Sequence, residues 1–95
     1  MSERLTDADV RAALTDLSSW DLVDGKLQRE LRFADFAEAL AFLVRVGIEA
    51  EKRNHHPELT NVYSRVTVQL TTHDAGGITE KDLDLARAID GIAGA

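Results

Sequence analysis

Three capping-box patterns divide this chain of 95 residues into helical segments with strand-like segments between them. In each pattern, a Thr or Asp that can accept a hydrogen bond from a free backbone N–H is followed three positions later by an acidic residue that can reach back. The three pairs are Thr6 with Asp9, Asp35 with Glu38, and Thr79 with Asp82. Because each pattern marks the start of a helix, the sequence predicts one helix near each end of the chain and one in the middle.

The segments between the predicted helices have the alternation of strands. Asp24-Gly25 joins residues 20–23 to residues 26–33, and Asp-Gly supplies the positive φ angles of a two-residue hairpin turn. Beyond Pro57, residues 59–63 and 65–72 form a second strand pair. The prediction is an α+β fold in the order α-β-β-α-β-β-α, with a four-stranded antiparallel sheet and three helices packed on one face.

The middle helix is predicted to run from Asp35 to about Arg53 with one apolar stripe. Helical spacing places Phe36, Leu40, Leu43 and Gly47 on that stripe, and Glu51 falls within it. A carboxylate there, close to the C-terminal end of the helix dipole, requires a cationic or hydrogen-bonding partner. The alternative is an end-of-helix Glu in water.

Composition indicates one soluble domain spanning residues 1–95. The net charge of −6 leaves no basic face for nucleic acid or anionic membranes, and the absence of cysteine excludes disulfides and thiolate chemistry. Residues 1–5 lack the hydrophobic core of a signal peptide, and no apolar segment is long enough to span a membrane. We therefore expect a cytoplasmic location. Since so short a chain buries a modest core, pairing with a second copy would add stability.

The three histidines of the chain are the groups best suited to proton transfer near neutral pH. His55 and His56 are adjacent, and His73 follows the last predicted strand. Imidazole is a common general acid or base because it titrates near neutrality. Three imidazoles could instead bind zinc. That alternative is disfavoured because side chains of adjacent histidines usually point apart and a His-x-x-x-His spacing is absent, so we expect no metal.

Taken together, these positions resemble the signature of the pterin-4a-carbinolamine dehydratase family. The matching residues are Glu51, His55-His56-Pro57, Tyr63, His73 and Asp82, at the spacing of the family. The likeness extends from about Trp20 to Ile92. His-His-Pro alone would be a weak signal, whereas the complete spaced set is specific.

The resemblance implies an enzyme that dehydrates 4a-hydroxytetrahydropterin to quinonoid dihydropterin and water, without a metal or a bound cofactor. That reaction recycles the tetrahydrobiopterin used by aromatic amino acid hydroxylases, which implies a hydroxylase as a pathway partner. The resemblance also implies a homodimer or homotetramer. The alternative function is a non-catalytic dimeric binding module, because some members are coactivators and others are assembly chaperones for Rubisco.

The same resemblance implies the site residues. The proposed catalytic set is His55, His56, His73 and Glu51, with His55 and His73 as the proton-transfer pair and Glu51 as the residue that orients His55. The proposed substrate-binding set is Asn54, His55, His56, Thr71, Thr72, His73, Asp74 and Trp20. For Trp20 the alternative is core packing. Members often have Asp where this chain has Asn54, which removes a negative charge beside the imidazoles.

Overall fold

The computed structural model of the protein describes residues 3–94. Within that range the elements are α1 (Asp7–Ala13), β1 (Asp21–Val23), β2 (Lys26–Arg32), α2 (Phe36–Arg53), β3 (Glu58–Val62), β4 (Arg65–Leu70) and α3 (Glu80–Ala93). The strands form an antiparallel sheet in the order β1-β2-β4-β3. The predicted α+β fold and its element order are confirmed. No helix among residues 3–94 has the length and apolar character needed to cross a membrane.

Local signals in the sequence explain where the elements begin and turn. Asp24 and Gly25 have φ angles of 50° and 78°, as a two-residue hairpin requires. The boxes at Thr6 and Thr79 are formed in full. The box at Asp35 is only half formed, which corrects the prediction: Asp35 accepts from the Glu38 N–H at 2.8 Å, but the Glu38 carboxylate accepts from the Ala34 N–H instead.

The core lies between the sheet and the helices. Alternate residues of β4, Val66, Val68 and Leu70, are fully buried there. From α3, Leu85 and Ile89 are equally buried. This alternation on β4 and the apolar stripe of α3 follow directly from sequence periodicity.

The apolar stripe predicted on α2 is not the buried face of the helix, although its member Leu43 packs against the core. The helix buries Ala39, Phe42, Val46 and Ala50, whereas Phe36 and Leu40 remain 46% and 43% exposed. Both sets recur every three to four residues, so periodicity could not choose between them. Two of the four buried positions, Ala39 and Ala50, carry small side chains.

Arg29 and Trp20 meet in a polar cluster at the edge of the core. The Arg29 guanidinium forms an ion pair with Asp90 of α3, and the Trp20 Nε1–H donates to the same carboxylate at 2.8 Å. Arg29 can lie on the inward face of β2 because Asp90 pairs with its charge there. Through these two contacts, Asp90 links the first hairpin to α3.

Candidate active site

The end of α2 places the two adjacent histidines. Asn54 has a left-handed conformation (φ 48°, ψ 43°) and ends the helix. The His55 N–H bonds to the Ala50 carbonyl and the Asn54 N–H to the Glu51 carbonyl, which is the pattern of a Schellman motif. Asparagine tolerates this conformation better than most residues. Asn54 thus turns the chain so that His55 leaves the helix towards α3.

His55 is held by a buried carboxylate of α3. Its Nε2 lies 2.6 Å from the Asp82 Oδ1, and the two side chains are 10% and 0% exposed. Asp82 also accepts from the Thr72 hydroxyl at 2.8 Å and from the Thr79 N–H at 2.9 Å, both through Oδ2. An ionised carboxylate can only accept hydrogen bonds. With Asp82 ionised, the proton of this contact lies on His55 Nε2, and Nδ1 is the ring nitrogen that faces no described partner.

The direction of the neighbouring hydroxyl bonds follows from the same reasoning. Each hydroxyl has one proton, and the Thr72 hydroxyl gives its proton to Asp82. The contact of 2.8 Å between the Thr72 and Thr79 hydroxyls must therefore be donated by Thr79. The buried network leaves no side-chain polar atom without a partner among the described residues. These hydrogen bonds fix the position of the Asp82 carboxylate behind His55.

Glu51 contacts His56 and not His55, so the predicted orienting role is wrong. Its Oε1 lies 2.7 Å from His56 Nε2, and both side chains are largely exposed, at 79% and 57%. After the left-handed residue Asn54, His55 points towards α3 and His56 points back over the last turn of α2. The two side chains point apart, as expected for adjacent histidines.

His73 comes from a short loop that follows β4. It begins a single 3₁₀ turn, His73–Ala75, and its side chain is exposed. Two backbone hydrogen bonds between Thr72 and Gly77, of 2.9 and 3.3 Å, close the base of this loop. Gly76 has a φ of 73°, a conformation that favours glycine. These hydrogen bonds fix the two ends of the loop that carries His73.

The three histidines line one open cleft of about 260 Å³. Its other lining residues are Asn54, Thr71, Thr72, Asp74 and Lys81. All the residues predicted for the site line this cleft, except Glu51 and Trp20. Thr72 lines the cleft, but its hydroxyl already donates its proton to Asp82. The volume is slightly below the usual range for ligand pockets, in keeping with a shallow, open site.

Trp20 does not line the cleft, which corrects its placement among the substrate-binding residues. It is 3% exposed, and its indole N–H is bonded to Asp90. Tyr63 also lies elsewhere, in the turn after β3 with a φ of 52° and 66% exposure. Asn61 supports that turn by donating to the carbonyls of Tyr63 and Arg65.

Sequence reasoning left two residues out of the site. Asp82 was identified as part of the third capping box and of the family signature, but its contact with His55 joins residues 27 positions apart. Lys81 lies in the cleft with no motif to mark it. Among residues 3–94, no three histidine, aspartate or glutamate side chains are grouped in an arrangement that could hold a metal ion.

Ion pairs flank the site on both sides. Arg53 bonds to Glu49 and to Asp84 at 2.8 and 2.7 Å. The hydrogen bond from Arg53 is the main reason that the pKa of Glu49 is lowered. On the sheet, the hydrogen bond from Lys26 lowers the pKa of Glu58, and the charge of His73 adds to that shift. The Glu58 carboxylate, which is paired with Lys26 at 2.7 Å, therefore lies near His73.

Comparison with known proteins identifies the family. The family model described as "Pterin 4 alpha carbinolamine dehydratase" matches residues 3–92. A protein of Solibacter usitatus (strain Ellin6076) is 50% identical over 93 residues and one of Burkholderia orbicola (strain MC0-3) is 53% identical over 95. Both are named "Putative pterin-4-alpha-carbinolamine dehydratase", and each match covers 98% of this chain and at least 93% of the relative.

Two solved structures share the fold. A Brucella melitensis protein, titled "transcriptional coactivator/pterin dehydratase", has a TM-score of 0.92 and 41% identity, covering 96% of this chain and 99% of its own. A pterin dehydratase-like protein described as a RuBisCO assembly factor of the alpha-carboxysome has a TM-score of 0.68 and 24% identity over 81% of this chain and 92% of its own. At that identity the second likeness concerns the fold alone. With the family match spanning nearly the whole chain, this protein belongs to the pterin-4a-carbinolamine dehydratase family.

Proposed function

We propose that the protein dehydrates a 4a-hydroxytetrahydropterin to a quinonoid dihydropterin and water. The observation that supports this most is the cleft in which His55 and His56, from the end of α2, lie with His73, from the loop after β4. Acid–base elimination needs a proton donor and a proton acceptor on one substrate. The cleft offers three imidazoles for these two tasks.

The reaction requires two proton movements and no redox change. The C4a–O bond breaks as the hydroxyl accepts a proton and leaves as water. An electron pair on a ring nitrogen forms the new C=N bond, and a proton is lost from a ring N–H. The protonated enzyme base then returns its proton to solvent or to the other imidazole, which restores the starting state.

The contacts of the histidines suggest how the two tasks are divided. In this proposal His55 is the base: its Nε2 bonds to Asp82, which leaves Nδ1 to accept the ring proton. The Asp82 carboxylate then stabilises the imidazolium that forms, as a buried carboxylate does for a catalytic histidine elsewhere. His73 is exposed in the cleft and has no hydrogen-bond partner among the described side chains, so in this proposal it is the donor to the leaving hydroxyl. In this proposal His56, with Glu51, positions the substrate.

The remaining cleft residues suit a pterin ring. A pterin presents an amino group and an imide N–H along one edge and a carbonyl oxygen beside them. The Asp74 carboxylate can accept from that edge, while the Asn54 amide and the Thr71 hydroxyl can both donate and accept. These residues would orient the ring so that C4a lies between the imidazoles.

The direct test supplies a 4a-hydroxypterin generated in the assay by an aromatic amino acid hydroxylase and follows quinonoid product formation. We expect the protein to accelerate the reaction over its spontaneous rate. A rate equal to the spontaneous one, with folded protein at micromolar concentration, would contradict the proposed function. A hydroxylase would also be the pathway partner that produces this substrate in the cell.

We also propose that the protein forms a homodimer or a homotetramer. On α2, Phe36, Leu40, Val44 and Ile48 form an outward apolar stripe with exposures of 43–62%. Strand β3 is an edge of the sheet and exposes Leu59 and Val62. Exposed apolar rows of this kind indicate association with another chain. Exposed apolar surfaces also suit the alternative function, a non-catalytic binding module, because a different partner protein could cover them in place of a second copy.

Light scattering should give a mass two or four times that of the 10.4 kDa chain. Replacing Val44 with Glu places a charge in the middle of the α2 stripe, so we expect the mass to fall if this surface is the interface. Arg45→Glu, at the next exposed position, is the matched control and should leave the mass unchanged. A monomeric wild-type protein at micromolar concentration would contradict self-association.

A further inference from the structure

Lys81 brings a positive charge to the cleft for which the proposed dehydration has no use. It lies in the first turn of α3 and lines the cleft together with the three histidines. It is the one Lys or Arg among the lining residues that the structure describes. The only lining carboxylate among them is that of Asp74.

The ammonium of Lys81 has no ion-pair partner among residues 3–94. Asp84, three positions further along the helix, is bonded to Arg53 at 2.7 Å, and the residue four positions along is the buried Leu85. Asp74 shares the cleft but forms no ion pair with Lys81. In a chain with a net charge of −6, an unpaired cation at a binding site is a local exception.

The fold does not depend on this side chain. Lys81 contributes to the start of α3 through its backbone, whose N–H donates to the Thr79 hydroxyl at 3.2 Å. Its side chain is exposed, and no apolar contact of the core requires it. Its charge is therefore free to contact a ligand in the cleft.

The chemistry indicates which part of a ligand Lys81 would contact. Loss of the C4a hydroxyl leaves an electron-poor ring, so a fixed cation beside C4a would raise the barrier rather than lower it. A cation at the edge of the cleft is instead suited to a negative group on the ring substituent. Carboxylates and phosphates are the anions that a lysine ammonium binds by charge-assisted hydrogen bonds.

We propose that Lys81 makes this site selective for pterins whose side chain bears an anionic group, a carboxylate or a phosphate ester, over pterins with neutral hydroxylated side chains. The inference rests on the proposed function, because it assumes that the pterin ring occupies the cleft. Since Lys81 is exposed, the preference is modest: we expect about threefold to tenfold tighter binding of an anionic pterin.

The test is equilibrium binding of oxidised, non-reacting pterins, followed by the quenching of their fluorescence. The ligands are 6-hydroxymethylpterin, which is neutral, 6-carboxypterin, and the phosphate ester of a hydroxylated pterin. The last two distinguish a carboxylate from a phosphate as the preferred anion. We expect Lys81→Gln to bring the anionic ligands down to the affinity of the neutral one and Lys81→Arg to retain the preference.

Arg87→Gln is the matched control for net charge. Arg87 is exposed on the same helix, lies outside the cleft and forms no ion pair among the described residues. It should leave the preference unchanged. Added salt should reduce the preference, because the screening length falls from about 30 Å at 0.01 M to about 8 Å at 0.15 M.

Three outcomes have distinct meanings. Equal binding of neutral and anionic pterins to the wild-type protein would overturn the inference and leave the dehydratase proposal standing. An equal loss for all ligands in Lys81→Gln would also overturn it, since Lys81 would then bind the ring itself. If none of the pterins binds, the inference is overturned, and the hydroxylase-coupled assay decides separately whether the proposed function stands.

Discussion

Replacing His73 with Ala should lower the rate of dehydration by at least about a hundredfold, the usual scale of a positioned acid or base. In the proposed mechanism His73 gives the proton without which the C4a hydroxyl leaves as hydroxide. His73 is exposed and has no hydrogen-bond partner among the described side chains, so its removal should not disturb the fold. The measurement is kcat with a hydroxylase-generated 4a-hydroxypterin, alongside circular dichroism and thermal unfolding.

Two comparisons make this result specific. His55→Ala should show a similar loss, because it removes the proposed base. His56→Ala should act mainly on KM, since that ring is half-exposed and contacts Glu51 rather than the buried carboxylate. An unchanged kcat for His73→Ala would refute the division of roles proposed above and leave the family assignment intact.

Replacing Asp82 should have the largest effect on stability. In Asp82→Ala, the His55 ring, the Thr72 hydroxyl and the Thr79 N–H all lose their acceptor. A buried donor left without its acceptor typically costs about 1–3 kcal/mol, and here three donors are affected, including the N–H at the start of α3. Urea unfolding at a fixed protein concentration measures this, because self-association would otherwise contribute to the midpoint.

Asp82→Asn separates the support of His55 from the support of the fold. The amide has nearly the same shape, but its NH₂ group cannot accept the bonds that the carboxylate accepts. If its NH₂ faces His55, the ring must protonate Nδ1 instead of Nε2, and the proposed base nitrogen is no longer free. A change of this kind lowers kcat by about 10⁴-fold in the serine protease triad.

Asp84→Asn on the exposed side of the same helix is the control, and it should retain activity because the one ion-pair partner of Asp84 among residues 3–94 is Arg53. Wild-type kcat in Asp82→Asn would show that the tautomer of His55 does not matter. The stability of Asp82→Asn should fall between those of the wild-type protein and Asp82→Ala.

The sequence by itself determined the elements of this fold. Capping residues such as Thr79 and the Asp24-Gly25 turn act through neighbouring backbone groups, so their effects can be deduced from a few adjacent positions. The alternation on β4 and the apolar stripe of α3 are similarly local. The histidines were identified as the site because imidazole chemistry and their spacing are both visible without a structure.

Only the tertiary structure decided which partners these residues have. The buried face of α2 depends on what packs against the helix, and two apolar stripes satisfied the periodicity equally well. The contact of His55 with Asp82, and of Glu51 with His56, depends on the left-handed turn at Asn54 and on the approach of α3. These contacts join residues that local rules cannot relate, because they form only when separate elements pack together. Arg29 with Asp90, 61 positions apart, is the same case in the core.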